Sequence, residues 1–547
     1  MRVSIRNRAH FVPSRPLTAA FTILLGLICA SCGETYRPVA QPIQGLQPSP
    51  APEHFVVSIS TDGIGDNHRD SGAASNIDVS GDSLRGNLRA GIAPVHAVLV
   101  AGSKLYIANS GEDSVTANNV SAPTAVAKIS LPASPSGTIT QVTVNGSTAT
   151  YTYTGGVGLF SVGDSVYVTG CTTAGFNGVF TVTAAAGNSF SVSNSTGASE
   201  AESFGAQAKV PNAVFANTAE TNNVYVAGYG TNSLYVINTT TDVVTAAVPV
   251  DSHPVALAEI PDGKKVYVAN HGSSASGGSV SVIDTVSDTV AKTICLAGGA
   301  APSCSVGPVP VWAVARSDSG LVYVLDQNGT IYAIDTTLDS VVTPSVSVSG
   351  VANFMFYDRN FSRLYVTSHV TSPVSNSLSV FDVSSGAPVL VGIPISIPAA
   401  PSSPCAGSPV LPTSVTVLGD GSRAYVASYQ VNNGTVCTQL SVIDAGSGTL
   451  TKTIPLSQAS DNSAQTGCGT VGFRVFTTSS GGGTNSKFKV YVSQCDAGSI
   501  AIVDTYPANG NPEDTYSGVS MAAPLSTFPP TSSTPPPQNP LFMVAGP

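Results

Sequence analysis

A short apolar segment centred on tyrosine recurs along the chain, and this repeat limits the folds that the chain can adopt. Seven copies are present: Leu105-Tyr106-Ile107, Val224-Tyr225-Val226, Val266-Tyr267-Val268, Val322-Tyr323-Val324, Leu364-Tyr365-Val366, Ala424-Tyr425-Val426 and Val490-Tyr491-Val492. A second apolar segment, ending in Asn or Asp, follows six of them: Val236-Ile237-Asn238, Val282-Ile283-Asp284, Ala333-Ile334-Asp335, Val380-Phe381-Asp382, Val442-Ile443-Asp444 and Ile502-Val503-Asp504. Such β-branched and aromatic runs, bounded by turn residues, are typical of short strands. The sequence therefore predicts an all-β repeat protein.

The clearest repeat contains four β segments, which lie within residues 254–258, 266–270, 280–284 and 289–294. Four strands per unit, repeated about every 40 residues, are typical of β-propeller blades. One such sheet cannot bury both of its faces alone, whereas a radial arrangement lets each sheet cover the next. The seven tyrosine segments therefore predict a seven-bladed propeller of four-stranded blades.

The strings Val266-Tyr267-Val268-Ala269-Asn270 and Val280-Ser281-Val282-Ile283-Asp284 resemble the YVTN family of β-propeller repeats, over about residues 90–505. The resemblance implies that the Pro-Val-Ala segment of each blade is innermost and that the Thr-Val-Ala-Lys-Thr-Ile segment is outermost. It implies no single activity. We expect residues 76–79 and 84–89 to complete the last blade as its third and fourth strands, with closure by residues 516–522 as the alternative. The Pro-rich residues 511–547 are predicted to form an extended tail.

A separate module is predicted between the first two blades. Successive tyrosines of the repeat lie 119, 42, 56, 42, 60 and 66 residues apart, so the first spacing is the outlier. The excess falls within residues 132–208, where Phe160–Val166 and Phe176–Phe180 resemble small β-barrel modules of phage-tail and bacterial surface proteins. The resemblance implies an inserted β-barrel or sandwich domain between residues 55–131, which hold the closing strands and blade 1, and residues 209–510, which hold blades 2–7. One very elaborate loop is the alternative.

The amino-terminal residues predict export. Four arginines precede an apolar run from Leu17 to Ala30, which is too short to span a membrane comfortably. The string Ile28-Cys29-Ala30-Ser31-Cys32-Gly33 resembles a bacterial lipoprotein signal, although Cys29 stands where such signals usually carry Leu. The resemblance implies a signal peptide over residues 1–31, lipidation of Cys32, and a flexible tether over 32–54. We therefore expect an envelope lipoprotein, anchored to the outer membrane through lipid alone; ordinary signal-peptidase cleavage is the alternative.

Six of the remaining cysteines are expected to form disulfides, which persist in exported proteins. In a propeller repeat, the connections from strand two to strand three and from each blade to the next emerge on one face. The six cysteines fall in such connections, which predicts the pairs Cys295–Cys304, Cys405–Cys437 and Cys468–Cys495, with Cys171 outside them. A metal site is the weaker alternative because Cys-x-x-Cys spacing and an accompanying histidine are lacking.

Charge and motifs restrict the function. The chain has 22 Lys and Arg against 32 Asp and Glu, which argues against a nucleic-acid-binding surface. We find no nucleophile elbow, phosphate-binding loop or Cys–His pair, and so predict no catalytic, cofactor-binding or metal-ligating residues.

A candidate ligand site lies at the predicted mouth of the central channel. The residue two positions after the start of each inner strand is expected to encircle this opening. These residues are His96, Ala213, Ala256, Trp312, Phe354, Ser414, and Phe473 or Arg474. A small ligand could stack on such aromatic side chains. The alternative is a plugged channel entrance without a ligand.

Two functions from different classes remain open at this point. The leading hypothesis is a non-enzymatic scaffold that binds a protein, glycan or surface polymer through its loop-rich face. The alternative is an exported propeller enzyme, lactonase-like or a quinone-dependent dehydrogenase, with its site at the channel mouth. The enzyme requires several carboxylates, histidines or arginines to converge on that mouth. A passive structural spacer is a third interpretation.

Overall fold

The computed structural model is an all-β protein. It describes residues 54–546 except 62–71, 80–81, 101–102, 122–123, 196, 202–204, 219–221, 274–275, 302, 372–373, 402, 462, 464–466, 470–471, 481–488, 506–513, 517–519 and 523–538. The predicted signal peptide, Cys32 and nearly all of the tether therefore lie outside the described residues. Within the described residues, no helix is long and apolar enough to cross a membrane.

The first strands of the chain belong to two different blades. The chain enters the ring through β1 (Phe55–Thr61), β2 (Ala73–Asp78) and β3 (Ser83–Arg89). Blade 1 follows as one antiparallel sheet of β4 (Pro94–Val100), β5 (Lys104–Asn109), β6 (Ser114–Asn119) and β7 (Thr124–Ser130).

The segment after blade 1 forms a separate sheet, here called the inserted sheet. It contains β8 (Ser136–Asn145), β9 (Thr148–Thr154), β10 (Ser165–Thr169), a short 3-10 helix (Ala174–Phe176), β11 (Gly178–Ala186), β12 (Ser189–Ser193), β13 (Glu200–Ala201) and β14 (Gln207–Lys209). The pairings run from β8 through β14, β10, β11, β12 and β9 back to β8. This closed path encloses its own apolar cluster, which includes Tyr151, Phe176 and Phe190.

Blades 2 to 4 repeat the four-stranded pattern. Blade 2 holds β15 (Phe215–Asn217), β16 (Asn223–Gly228), a 3-10 helix (Tyr229–Thr231), β17 (Ser233–Asn238) and β18 (Val243–Pro249). Blade 3 holds β19 (Pro254–Glu259), β20 (Lys265–Asn270), β21 (Ser279–Asp284) and β22 (Thr289–Cys295), followed by the small hairpin β23 (Gly299–Ala300) and β24 (Ser303–Cys304). Blade 4 holds β25 (Pro310–Ala315), β26 (Leu321–Asp326), β27 (Thr330–Asp335) and β28 (Ser340–Ser347).

Blades 5 to 7 follow in the same order. Blade 5 holds β29 (Val351–Asp358), β30 (Arg363–Thr371), β31 (Val374–Asp382) and an outer strand in two pieces, β32 (Val389–Leu390) and β33 (Ile395–Ser396). Blade 6 holds β34 (Leu411–Val417), β35 (Arg423–Asn432), β36 (Thr435–Asp444) and β37 (Thr449–Ser460). Blade 7 holds β38 (Val475–Ser480), β39 (Lys489–Gln494), β40 (Ser499–Asp504) and β41 (Ser520–Ala522). The last strand of the chain is β42 (Asn539–Ala545).

The ring has eight blades, so the predicted count of seven is wrong. The eighth blade has the order β42-β1-β2-β3, in which the last strand of the chain is innermost and the first three strands complete the sheet. Tyrosine counting missed this blade because its second strand, β1, contains no tyrosine. The expectation that residues 76–79 and 84–89 complete the last of seven blades is also wrong, because these residues belong to blade 8. Blade 7 is completed by β41, which lies within the alternative segment 516–522.

The prediction of an extended tail is also wrong for its last residues. Strand β42 pairs with β1 along its length, and Leu541 and Met543 are buried. Proline is excluded from central strands because it lacks an N–H donor, but the innermost strand of a blade is an edge strand. Pro540 therefore fits at this position.

The inner strands of all eight blades contact one another in a complete circle, from β4 through β15, β19, β25, β29, β34, β38 and β42 back to β4. Within each blade, strands alternate in direction. One face of the ring, here the loop face, therefore carries the connections from strand two to strand three and from blade to blade. The opposite face, here the turn face, carries the other turns. The inserted sheet lies on the loop face, whereas β1 begins at the turn face.

Three disulfides fasten connections on the loop face. The bonds join Cys295 to Cys304, Cys405 to Cys437, and Cys468 to Cys495, so the predicted pairing is confirmed. Cys171 is buried in the inserted sheet and is not one of the six disulfide-bonded cysteines. Each cross-link restricts the unfolded chain, and a typical gain is about 2–4 kcal/mol.

The recurrent tyrosines join neighbouring blades. The Tyr106 hydroxyl donates to Asp242 Oδ1 of the next blade at 2.6 Å, and Lys104 Nζ lies 2.7 Å from the same carboxylate. Tyr267 and Lys265 meet Asp339 in the same way, at 2.6 and 2.8 Å. Both aspartates have positive φ, of 56° and 49°, a conformation that aspartate tolerates better than most residues.

The same contact closes the ring between the two ends of the chain. The Tyr491 hydroxyl of blade 7 donates to Asp82 Oδ1 of blade 8 at 2.8 Å, and Lys489 Nζ lies 2.5 Å from Asp82 Oδ2. Asp82 also has positive φ, of 48°. Burial raises the pKa of Asp82, although Lys489 opposes the shift. The contact of a tyrosine and a lysine with an aspartate of the next blade is here called the tyrosine lock. The closing blade therefore uses the same tyrosine lock as blades that adjoin in sequence.

We predict that Leu541→Ala destabilises the protein because Leu541 is fully buried in the inner strand of blade 8. Removing such a side chain from a packed site costs about 2–5 kcal/mol. The free energy of unfolding in urea measures this. Val544→Ala, in the same strand at a half-buried position, is the matched control and should cost less. An unchanged free energy for Leu541→Ala would contradict a structural role for the tail.

We also predict energetic coupling between Tyr267 and Asp339. A double-mutant cycle of Tyr267→Phe and Asp339→Ala should give a coupling energy of about 1 kcal/mol, since each change removes the same hydrogen bond. The control cycle combines Tyr267→Phe with Asp444→Ala in blade 6, and these changes should be additive. Additivity in both cycles would argue against the lock.

Candidate functional site

A cavity of about 310 Å³ opens on the loop face at the centre of the ring. Seven blades and the inserted sheet supply its wall. The lining residues are Val95, His96, Tyr167, Val214, Phe215, Val255, Trp312, Asn353, Thr413, Tyr429, Gly469, Gly472, Phe473 and Arg474. Its size is at the lower end of the range for small-molecule sites, about 300–1,000 Å³. We call it the mouth cavity.

The structure brings some of the predicted residues to this cavity and places others elsewhere. His96, Trp312 and Arg474 line it. Phe354 lies below the cavity, with its ring centre 4.7 Å from that of Trp312. Ser414 is fully buried, and its Oγ accepts a hydrogen bond from the Thr477 amide at 3.0 Å.

A register shift recurs at the start of the inner strands of blades 1, 3, 4, 5 and 6, so it precedes His96 and Trp312 as well as Phe354 and Ser414. Pairing skips one residue between Ala352 and Phe354, and again between Pro412 and Ser414. A β-bulge of this kind re-aims the side chains next to it. In these two blades the skipped residues, Asn353 and Thr413, line the cavity instead.

An aromatic cluster forms the floor of the mouth cavity. The His96 ring stacks on Phe215, with 3.9 Å between ring centres, and lies 4.3 Å from Phe542. Further pairs join Phe542 to Phe476 at 4.5 Å and Phe476 to Phe473 at 4.9 Å. Such pairs add about 0.5–1.5 kcal/mol each beyond their burial.

A second cavity, of about 560 Å³, lies on the other side of this cluster. It is lined by the ends of inner strands, including Phe356, Tyr357 and Glu259, and Trp312 borders both cavities. The aromatic cluster therefore lies between the two ends of the channel.

His96 is a neutral hydrogen-bond donor in this environment. The Ala216 amide donates to His96 Nδ1 at 3.4 Å, so the proton of the neutral ring resides on Nε2. Burial lowers the pKa of His96 to about 3, although the Ala216 contact opposes the shift. The ring is uncharged at any pH near neutrality.

Arg474 brings a charge that its neighbours already balance. Its guanidinium pairs with Asp461 and lies 2.7 Å from Asp496 Oδ2, and it stacks over the Tyr429 ring at 5.2 Å. Burial alone would lower the pKa of Arg474, but the two carboxylates outweigh it and the pKa is raised. The guanidinium acts here as a brace between two loops.

The chemistry of the mouth cavity follows from these contacts. Its lining includes five aromatic rings besides His96, an amide at Asn353 and a hydroxyl at Thr413. No aspartate or glutamate is among the described residues that line it. Across the part of the chain that the structure describes, no cluster of three or more metal-ligating side chains occurs. The cavity can stack a flat or ring-shaped ligand and hydrogen-bond to it, and its charged group, Arg474, is already paired with two carboxylates.

Sequence reasoning missed several lining residues. Tyr167 reaches the cavity from the inserted sheet, and its hydroxyl lies 2.6 Å from Ser110 Oγ of blade 1. Tyr429 comes from the second strand of blade 6 rather than from an inner strand. The sequence pattern gave no signal for either residue because their positions depend on how separate sheets meet.

Comparison with known proteins finds solved structures of low similarity. No protein-family model matches the chain, and no curated protein matches it. Similar solved structures include Kuenenia stuttgartiensis hydrazine synthase, with TM-score 0.39, 18% identity and coverage of 54% of this chain and 76% of that chain. A second is dihydro-heme d1 dehydrogenase NirN in complex with DHE, with TM-score 0.38 and 13% identity. The match covers 76% of this chain and 75% of that chain.

A protein from Lactobacillus plantarum gives TM-score 0.41 and 14% identity, with coverage of 74% of this chain and 95% of that chain. At this level of similarity, none of these proteins indicates what the present chain binds or catalyses. Membership of the YVTN family stays a prediction.

We predict that His96 makes the folded protein less stable as the pH is lowered below 6.5. Below its ordinary pKa of 6.5 the unfolded chain takes up a proton at this residue, whereas the folded chain does so only near pH 3. Its contribution to stability is therefore complete above pH 6.5 and falls as the pH is lowered towards 3. The difference in free energy of unfolding between wild type and His96→Phe, measured in urea from about pH 7 to 4, should shrink accordingly. A constant difference would contradict the buried neutral ring.

Proposed function

We propose that this protein is a binding scaffold of the bacterial envelope, and that the mouth cavity holds a neutral saccharide unit of a glycan or surface polymer. One observation carries the proposal: a ring-lined cavity opens on the loop face of a rigid ring, and Arg474, the charged residue among its described lining, is already paired with Asp461 and Asp496. Sugars present apolar C–H faces that stack on aromatic rings, and hydroxyls that need a few placed donors and acceptors.

The mouth cavity supplies both kinds of contact. Trp312, Phe473 and Tyr429 offer ring faces, and Asn353 offers an amide donor and an acceptor. Since burial keeps His96 neutral and two carboxylates balance Arg474, a charged ligand gains little there. A neutral ligand avoids the cost of desolvating a charge.

The surrounding loops support a role in binding a larger partner. Three disulfides hold the connections of the loop face, so these loops present a fixed surface around the cavity. A cross-linked surface loses less conformational entropy on binding than a mobile one. The partner, whether a glycan, a polymer or a protein, would contact this surface while one unit enters the cavity.

The proposal includes the envelope location that the amino-terminal sequence predicts. Strand β1 begins at the turn face, so a tether that ends at His54 would join the ring on the side opposite the mouth cavity. A lipid anchor at Cys32 would then leave the loop face directed away from the membrane. We also propose that the repeat belongs to the YVTN family and that the inserted sheet is a β-barrel module of the phage-tail type.

The enzyme alternative requires more than the mouth cavity offers. Among the described lining residues, the candidates for acid–base work are a histidine with a pKa of about 3 and an arginine paired with two carboxylates. A lactonase or dehydrogenase needs a general base or a bound cofactor close to its substrate. We therefore rank binding before catalysis.

We predict that the purified full-length protein binds neutral glycans, and that Asn353→Ala weakens this binding. Loss of one ligand hydrogen bond corresponds to roughly a three- to tenfold weaker affinity. Binding to immobilised neutral oligosaccharides and the fluorescence of Trp312, the single tryptophan, provide two measurements.

The matched control is Asn360→Ala, which changes the same residue type on the same blade near the turn face. It should leave the affinity unchanged. Equal loss in both variants would argue against the mouth cavity. Absence of binding to every neutral glycan, together with binding of an envelope protein, would favour the protein partner.

A further inference from the structure

Two charged pairs join the inserted sheet to the ring beside the mouth cavity, in addition to the Tyr167–Ser110 hydrogen bond and the packing of Tyr229 on the insert's apolar cluster. Near its ends, Lys209 Nζ lies 2.6 Å from Asp113 Oδ2 of blade 1, and the Ser134 hydroxyl donates to the Val210 carbonyl at 2.7 Å. At a distant point, Asp164 Oδ1 lies 3.3 Å from His253 Nε2 of blade 3. The second contact joins the inserted sheet to a blade with which it has no covalent connection.

The geometry of His253 requires a protonated ring. Its Nδ1 lies 2.8 Å from the Gly272 carbonyl oxygen, and its Nε2 faces the Asp164 carboxylate. A carbonyl oxygen and a carboxylate oxygen can only accept hydrogen bonds, so both ring nitrogens must carry hydrogen. In the neutral ring, one nitrogen lone pair would face an oxygen and the contact would become repulsive.

The surroundings of His253 hold the ring in this position. Its ring stacks on Tyr229, with 4.5 Å between ring centres and 19° between planes. Its backbone has φ of 55°, and its amide donates to Asn232 Oδ1 at 2.9 Å. On the insert side, the Ser161 amide donates to Asp164 Oδ2 at 2.7 Å, which fixes the carboxylate.

Few other titratable groups face this pair. Tyr229 is stacked on the ring, and burial raises its pKa to about 12, so it stays neutral. Burial, followed by the charge of His253, lowers the pKa of His271. Asp251, two residues away along the chain, accepts hydrogen bonds from Ser279 Oγ and the Ser252 amide.

We propose that His253 and Asp164 form a protonation-dependent latch, which fastens the β10 end of the inserted sheet beside the mouth cavity and loosens it as the pH rises. Asp164 immediately precedes β10, and Tyr167 of β10 lines the cavity. Loss of the Asp164 contact therefore loosens the β10 end of the inserted sheet, while the Tyr167–Ser110 hydrogen bond remains. As a control on ligand access the latch rests on the proposed function, but the latch itself does not.

The sign of the pH dependence follows from the contacts. Burial disfavours the charged ring, but the Asp164 carboxylate and the Gly272 carbonyl outweigh this, and the pKa of His253 is raised above 6.5. The latch is therefore fully formed below pH 6.5 and is lost as the pH rises through the raised pKa. The rim of the cavity beside β10 is therefore held more firmly in mild acid than at alkaline pH.

Trp312 reports on the latch without any ligand. It is the single tryptophan of the chain and lines the mouth cavity, so acrylamide quenching of its fluorescence measures the access of small molecules to the site. In the full-length wild type, we expect the quenching constant to rise with a single midpoint above pH 6.5, over a titration from about pH 5 to 9.

Two variants and one control test the assignment. His253→Asn keeps a residue that tolerates positive φ, and Asp164→Asn keeps the acceptor for the Ser161 amide. Both should show the high-pH quenching constant at every pH. His271→Gln should keep the wild-type midpoint.

A wild-type quenching constant that does not change with pH, or a midpoint that survives in His253→Asn, would overturn the latch. The readout separates this proposal from the proposed function. If the midpoint is found and no neutral glycan binds, the latch stands and the saccharide site fails. If glycans bind without pH-dependent quenching, the site stands and the latch fails.

Discussion

Burial of one blade against the next is the interaction on which the rest of this structure depends. A four-stranded sheet with two apolar faces has no stable form alone, and the ring solves this by giving every face a neighbour. The tyrosine lock adds a directional hydrogen bond to this packing, because a tyrosine hydroxyl in one blade contacts a turn aspartate in the next. At the closing blade, Tyr491 and Asp82 bring together residues separated by 409 positions in sequence. Closure therefore uses contacts that the repeat already contains.

The sequence predicted the β-propeller, the four-stranded blades and all three disulfides, because each depends on local patterns that the chain repeats. The eighth blade was missed for a physical reason. Its inner strand, β42, follows a Pro-rich segment, and its second strand, β1, lacks the tyrosine that marks the others. Its pairing lies between the two ends of the chain, and nothing in either segment alone specifies the other. A register that depends on two distant strands cannot be read from one of them.

The candidate site shows the same limit on a finer scale. Counting two residues from the start of each inner strand selected His96 and Trp312, which line the cavity, but in blades 5 and 6 Asn353 and Thr413 line it in place of Phe354 and Ser414. The same one-residue bulge precedes His96, Trp312, Phe354 and Ser414. The repeat pattern therefore does not encode which residue next to the bulge faces the channel. Arg474 was predicted at the mouth, yet its role as a brace became visible only with Asp461 and Asp496 in place.

The arrangement of charges explains why the inserted sheet, rather than the ring, is the element suited to respond to its surroundings. The ring is held by aromatic packing, disulfides and locks whose tyrosines have pKa values raised by burial, so none of these changes protonation near neutral pH. His96, at the centre, is kept neutral by burial. His253 differs because a carboxylate from another sheet completes its hydrogen bonds. A histidine whose pKa is raised and which bridges two sheets couples its protonation to the contact between them, whereas a group enclosed within one sheet affects only stability.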